Sequence, residues 1–272
     1  MGTRGIVSDH LIALACTAFV IFLIPWHYRK YAAIAGWSCI VLNLFSEIPA
    51  FAAESNFLYP LLAVLSVPFL VITTRCILDE DPVALRLTTT AAVAAVIFVP
   101  VATIPILRDT LVAIVIQSVI SLVTALGHHP WMYSWDVIVE NGFYNQIIPG
   151  CTGILAIAMV TGVIASVPGP YLRRLFVIII IVPVMFVLNI LRVAAVFIAV
   201  SDHWFSVWPD PTGTGNANFF WAHNVIAEAL AILFLIMLVI VVSRVLPGLW
   251  EYARDVGGMY AGAVRNVMQR GN

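Results

Sequence analysis

Charge is scarce in this chain. Only 10% of its 272 residues are Asp, Glu, Lys or Arg, against about 25% in a typical soluble domain. That scarcity argues against a water-soluble globule. The mean hydropathy of +1.03 agrees. The 13 basic and 14 acidic side chains leave a formal net charge of −1. No basic stripe is present, so no nucleic-acid partner is expected. Cysteine is scarce as well. Cys16, Cys39, Cys76 and Cys151 form no CxxC and no Cys/His cluster with ligand spacing. Neither a zinc site nor a disulfide framework is expected, and no cofactor is implied. Cys16 and Cys39 lie inside apolar runs and Cys76 at the end of one, where packing roles are expected. The sequence shows no internal repeat and no separable soluble domain. The first apolar run lacks a small-residue cleavage site, so it reads as a retained span rather than a signal peptide.

Apolar runs fill the space that charge leaves, since 62% of the residues are hydrophobic. A membrane span takes about 20 mainly apolar residues. Runs at 10–26, 31–51, 57–77, 87–107, 110–126, 151–167, 171–200 and 219–245 qualify. The expected fold is all-α, a polytopic transmembrane helix bundle of about eight spans, with seven possible. It forms one integral membrane domain over 1–272, with front spans at 1–127 and a catalytic half at 128–245. Two stretches, 127–149 and 201–218, are too aromatic and polar to cross. His128, His129, Trp131, Tyr133, Trp135 and Tyr144 suit a membrane–water interface. A short interfacial helix is expected over 135–141, and a short polar tail after the last span. Arg173 and Arg174 open the seventh run, and Arg244, Arg254, Arg265 and Arg270 follow the eighth. By the positive-inside rule those ends are cytoplasmic, so both aromatic loops face outward.

Polar groups inside or beside the spans mark the candidate site. Pro149-Gly150-Cys151-Thr152-Gly153 opens the sixth run and places a thiol where a loop meets a helix start. Orphan N–H groups and the helix dipole there favour a thiolate. The plain alternative is a small buried cysteine. Arg192 lies within the seventh run with no carboxylate nearby in sequence, and Asn189 precedes it by one turn on the same face. His223, Asn224 and Glu228 open the eighth run. Asn224 and Glu228 share a face, and Glu228 is a candidate ion-pair partner for Arg192. His128 and His129 read as interfacial contacts, and His203 as a weak rival for His223. Three consecutive spans thus bring a nucleophile, a cation and a titratable base to one side of the membrane. The set suits acyl transfer. His223 takes the proton from Cys151 or pairs with its thiolate, Arg192 stabilises the oxyanion, and His223 protonates the leaving amine.

Gly150-Cys151-Thr152-Gly153, then Asn189-Ile190-Leu191-Arg192, then His223 resembles the exosortase/archaeosortase family, most closely the archaeosortase A branch. The resemblance covers the chain from about Gln146 to Glu228. It implies a cysteine protease or transpeptidase that cleaves a C-terminal sorting signal of secreted surface proteins. Such a signal comprises a short motif such as Pro-Gly-Phe, a transmembrane helix and a basic cluster. It further implies transfer of the new C-terminus to a membrane lipid, which would anchor proteins such as those of an S-layer. The resemblance implies Cys151, Arg192 and His223 as the catalytic residues; Thr152, Asn189, Asn224 and Glu228 are expected to bind or orient substrate. The expected setting is the cell membrane, with the site on the extracytoplasmic side. A transporter with Arg192 and Glu228 lining its path is the rival reading.

Overall fold

Prolines and glycines decide where the apolar runs break. Pro82 and Pro105 each open a helix, at the position where a missing N–H costs nothing. The computed structural model describes residues 6–53, 58–211, 213 and 217–270. Helices cover the expected apolar runs among the described residues, but the fourth and fifth meet at Ile104, ahead of Pro105, and not at 108–109. The front half holds α1 (Ile6–Leu23), α2 (Arg29–Ala53), α3 (Leu58–Leu78), α4 (Pro82–Thr103) and α5 (Pro105–Ala125). Strands β1 (Trp131–Ser134), β2 (Val137–Glu140) and β3 (Phe143–Gln146) follow. After a 3-10 turn at Pro149–Thr152 come α6 (Ile154–Ser166), α7 (Tyr171–Ser201), α8 (Ala217–Phe219), a π-helical stretch Phe220–Ala227, α9 (Glu228–Val245) and α10 (Gly248–Arg270). Six helical segments among the described residues are long and apolar enough to cross a bilayer, and two shorter apolar helices accompany them, His10–Leu23 and Ile154–Ser166. The protein is a polytopic helical membrane protein.

The chain divides into two interleaved compact units. The first comprises Met1–Val99, Ala158–Tyr171 and Pro247–Asn272. Its core joins Ala15, Phe19, Phe22, Ala33, Ile77 and Ala92. Cys16 is buried in that cluster, and Cys39 and Cys76 pack against it, in keeping with packing roles. An aromatic chain runs from Phe19 through Trp37 and Phe69 to Tyr260, with centroid separations of 5.4, 5.1 and 5.5 Å. The expected short polar tail is instead the 23-residue helix α10. Its apolar residues recur at helical spacing, so one face folds back onto the unit. Tyr252 and Thr90 share a hydrogen bond of 2.9 Å between hydroxyls, and Tyr260 and Thr73 one of 2.6 Å.

The second unit comprises Pro100–Ile157 and Leu172–Leu246. Val112, Val115, Ile116, Val119 and Val123 form one stripe of α5. It packs on Ile190, Val193, Ala194, Phe197 and Ile198 of α7, and Ile138 and Ile147 complete the cluster. The interfacial helix expected at 135–141 is not there. An antiparallel meander in the order β1-β2-β3 takes its place. β-branched residues in Val137-Ile138-Val139 favour strand. Asn141 and Gly142 then adopt φ of 49° and 78°, the left-handed pair of a tight hairpin turn. Ile138, Val139 and Glu140 are buried, while Trp131, Tyr133 and Trp135 are exposed.

Candidate active site

Cys151 lies in the 3-10 turn Pro149–Thr152, three residues ahead of α6 and not in its first turn. The turn is closed by two short bonds. The Cys151 N–H donates to the Ile148 carbonyl at 2.8 Å, and the Thr152 hydroxyl donates to the Pro149 carbonyl at 2.7 Å. Gly153 follows with φ 75°, and only then does the helix begin. The turn is fastened to α7 by Asn189, whose side-chain Nδ2 donates to the Cys151 carbonyl at 2.8 Å. A Cβ on Gly153 would stand 2.8 Å from Asn189 Cγ. Glycine is therefore required there both by backbone conformation and by close approach. Cys151 itself is half-buried against the α5–α7 core.

Arg192 sits one turn beyond Asn189 on α7. Its Nε is buried and has no hydrogen-bond partner among the described residues. The expected ion pair with Glu228 does not form. Glu228 is exposed, as is Asn224, while Ala222 and Ala227 turn inward against Val196, Ala199 and Val200 of α7. The π-helical stretch accounts for this, because i to i+5 bonding aligns residues five apart and swings the carboxylate outward. His223 lies in the same stretch and is half-buried. Its ring stacks on Phe219 at 4.9 Å, and Phe219 in turn neighbours Phe143 at 6.5 Å. Arg192 is close enough for its charge to act on His223. No hydrogen bond joins the Cys151 sulfur, Arg192 and His223 among the described residues. The fold thus brings Cys151, Asn189 and Arg192 to one helix wall and His223 within electrostatic range of Arg192. The Thr152 hydroxyl bonds within its own turn, and Asn224 and Glu228 are exposed.

The chain matches the family model described as transmembrane exosortase (Exosortase_EpsH) over residues 6–222. It belongs to the transmembrane exosortase family. Cys151, Asn189 and Arg192 fall inside the matched residues, and His223 lies one residue beyond them. The chain is similar to archaeosortase A of Haloferax volcanii, at 25% identity over 293 aligned residues and 95% of each chain. It is also similar to archaeosortase A of Natronomonas pharaonis, at 29% identity over 43% of this chain and 40% of that one. No solved structure matches it.

One cluster was not anticipated from the sequence. His128 Nδ1 lies 3.2 Å from Glu140 Oε2, and its Nε2 lies 3.9 Å from Asp202 Oδ2. Glu140 Oε1 also accepts the His129 N–H at 2.7 Å. The first of these contacts has ion-pair distance without hydrogen-bond alignment, since Glu140 Oε2 has no hydrogen-bond partner among the described residues. The cluster ties the end of α5, the meander and the end of α7 together. His128 therefore has charged partners and is more than an interfacial contact. The sequence signal was Asn141-Gly142 behind a β-branched run, which places Glu140 at a hairpin end.

Proposed function

We propose that this exosortase-family protein is a membrane-embedded cysteine transpeptidase acting on the C-terminal sorting signal of surface proteins. The observation that carries this reading is the Asn189 bond to the Cys151 carbonyl. It fixes a thiol beside α7, one helical turn from a buried arginine donor with nothing among the described residues to satisfy it. A buried, unpaired donor is costly. The cost is offset when a substrate oxygen arrives, and most strongly when that oxygen carries the charge of a tetrahedral intermediate.

In the proposed cycle the Cys151 thiolate attacks the scissile carbonyl. The carbonyl electrons move onto oxygen and are held by Arg192. Collapse of the intermediate breaks the C–N bond, and His223 as imidazolium gives its proton to the leaving amine. The product is a thioester on Cys151. A nucleophilic head group of a membrane lipid then attacks it and loses its proton to His223, and the C–S bond breaks. The surface protein leaves attached to lipid, and the thiolate is restored.

Arg192 lies eighteen residues after Arg174 on α7, roughly 27 Å of helix. That nearly equals the hydrocarbon thickness of a bilayer. With Arg173 and Arg174 cytoplasmic, the site sits near the extracytoplasmic face, where translocated proteins present their tails.

The test is a co-expressed surface protein ending in Pro-Gly-Phe, an apolar helix and basic residues. Cys151→Ala is expected to abolish its processing, and a mild nucleophile is expected to release it from the wild-type enzyme as an adduct. Full-rate processing by Cys151→Ala would overturn the cysteine mechanism.

A further inference from the structure

His223 moves the proton in the proposed cycle, yet no hydrogen bond holds its ring among the described residues. A histidine base is ordinarily oriented by an acceptor on its second ring nitrogen. Here the carboxylates stand elsewhere. Glu228, the nearest in sequence, is exposed. Glu140 and Asp202 face His128 instead, at 3.2 and 3.9 Å. What His223 has is Phe219. The two rings stack with centroids 4.9 Å apart and planes inclined by 29°, within the range of an aromatic pair. Phe219 lies one helical turn earlier, on the same face. Phe143, the first residue of β3, backs it at 6.5 Å. Phe197 of α7, fully buried, backs Phe143 at 6.0 Å. Phe143 packs against both the α5–α7 core and the smaller cluster of Val196, Ala199, Val200, Ala222 and Ala227. The row of rings thus starts on the helix that carries Asn189 and Arg192 and ends on His223.

Face and edge of an imidazole do different work. Stacking occupies the face, while both nitrogens lie on the edge and stay free for proton transfer. A hydrogen-bonded orienter would consume one of them. We propose that Phe219 is the positioning residue of His223: its ring sets the plane in which the imidazole edge meets the leaving amine and then the incoming nucleophile. The inference rests on the transpeptidase reading above, because it supplies the acid–base group of that cycle with its means of orientation. Phe219 touches neither substrate nor sulfur in this role and acts only through His223.

The test uses the full-length protein in phosphatidylglycerol nanodiscs and a peptide of Pro-Gly-Phe, an apolar helix and basic residues, with release of the helical tail as the readout. Phe219→Leu keeps the position apolar and removes the flat face. It is expected to lower kcat about tenfold with KM unchanged, because a misdirected acid–base group slows chemistry without loosening binding. Phe219→Tyr and Phe219→Trp keep a flat face, and at least one is expected to hold kcat near wild type. Loss in both overturns the proposal. The stack also has a spectroscopic signature. In protein labelled at the histidine ring carbons, the His223 ring protons, identified by their disappearance in His223→Gln, lie in the shielding zone over Phe219. They are expected to move downfield in Phe219→Leu, while the other histidines keep their positions and so report folding. An unmoved His223 signal, or an unchanged kcat, overturns the proposal. A double variant separates positioning from packing. Phe219→Leu is expected to cost nothing further in the His223→Gln background, because a residue that acts through another is not additive with it. A second loss of about tenfold there overturns the positioning role alone. Full-rate tail release by both Cys151→Ala and His223→Gln overturns the transpeptidase reading itself.

Discussion

Asn189 fastens the turn of the proposed nucleophile through its backbone. Its amide holds the carbonyl of Cys151 and so fixes how the 3-10 turn is rotated about α7. Asn189→Ala leaves that carbonyl without its donor. Such losses cost about 1–3 kcal/mol, which for a positioning contact corresponds to a fall in turnover of roughly tenfold to a hundredfold. The fall is expected in kcat, with little change in apparent affinity for the sorting substrate. Asn189→Asp is expected to fail equally, because an ionised carboxylate only accepts. Rescue by the aspartate would show that Asn189 does something else. The sequence placed Asn189 on the face of Arg192 correctly and expected it to orient Arg192 or substrate. The partner it holds is 38 residues away in sequence, a distance that helical periodicity cannot bridge.

At the scale of elements, the meander and the π-helical stretch carry what helical reasoning leaves out. Aromatic residues spaced along 127–149 suit an interface in either conformation, so composition did not separate helix from strand. Asn141-Gly142 does separate them, since its two left-handed residues close a hairpin and cannot continue a helix. Gly142→Val places a β-branched residue at φ 78° and is expected to cost about 1–2 kcal/mol. Through Glu140 the damage reaches the end of α5, where His128 and His129 are held. Hydrogen exchange is expected to accelerate over 131–146 while the α5–α7 core stays protected. Equal protection across the meander in wild type and variant would show that the turn does not pin it. The π-helical stretch left no such mark in the sequence. Phe220–Ala227 reads as ordinary apolar helix, and only its inward-facing alanines reveal the wider winding.

At the scale of the molecule, the docking of α10 is expected to respond to pH. Burial pushes the Tyr252 and Tyr260 phenols up, above the ordinary value near 10, against the opposing effect of their threonine hydrogen bonds. A group whose folded value is raised stabilises the folded form fully below its unfolded value and loses that contribution as pH rises past it. Docking of α10 is therefore expected to hold through neutral pH and to weaken above about pH 10. Proteolysis between α9 and α10 is expected to speed up there. The double variant Tyr252→Phe, Tyr260→Phe cannot ionise at these positions and is expected to lose the alkaline step. Persistence of the step in that variant would assign it to another group. The sequence registered α10 only as a polar tail because charged residues, glycines and apolar residues alternate along it without a long apolar run. Its periodicity, with Tyr252, Met259 and Tyr260 on one side, was the signal.

The sequence by itself determined the membrane setting, the helical runs and the family motifs. Each of these follows from local quantities: apolar run length, charge scarcity, and short strings around Cys151, Arg192 and His223. Tertiary structure decided where those residues stand. It placed Cys151 in a 3-10 turn pinned from α7, left Arg192 without Glu228, and set His223 in a π-helical stretch on Phe219. The physical reason is that helix phase and long-range hydrogen bonds depend on packing between elements. A single α5 stripe against α7 fixes the rotation of α7, and that rotation selects which of its polar side chains reach the cysteine turn.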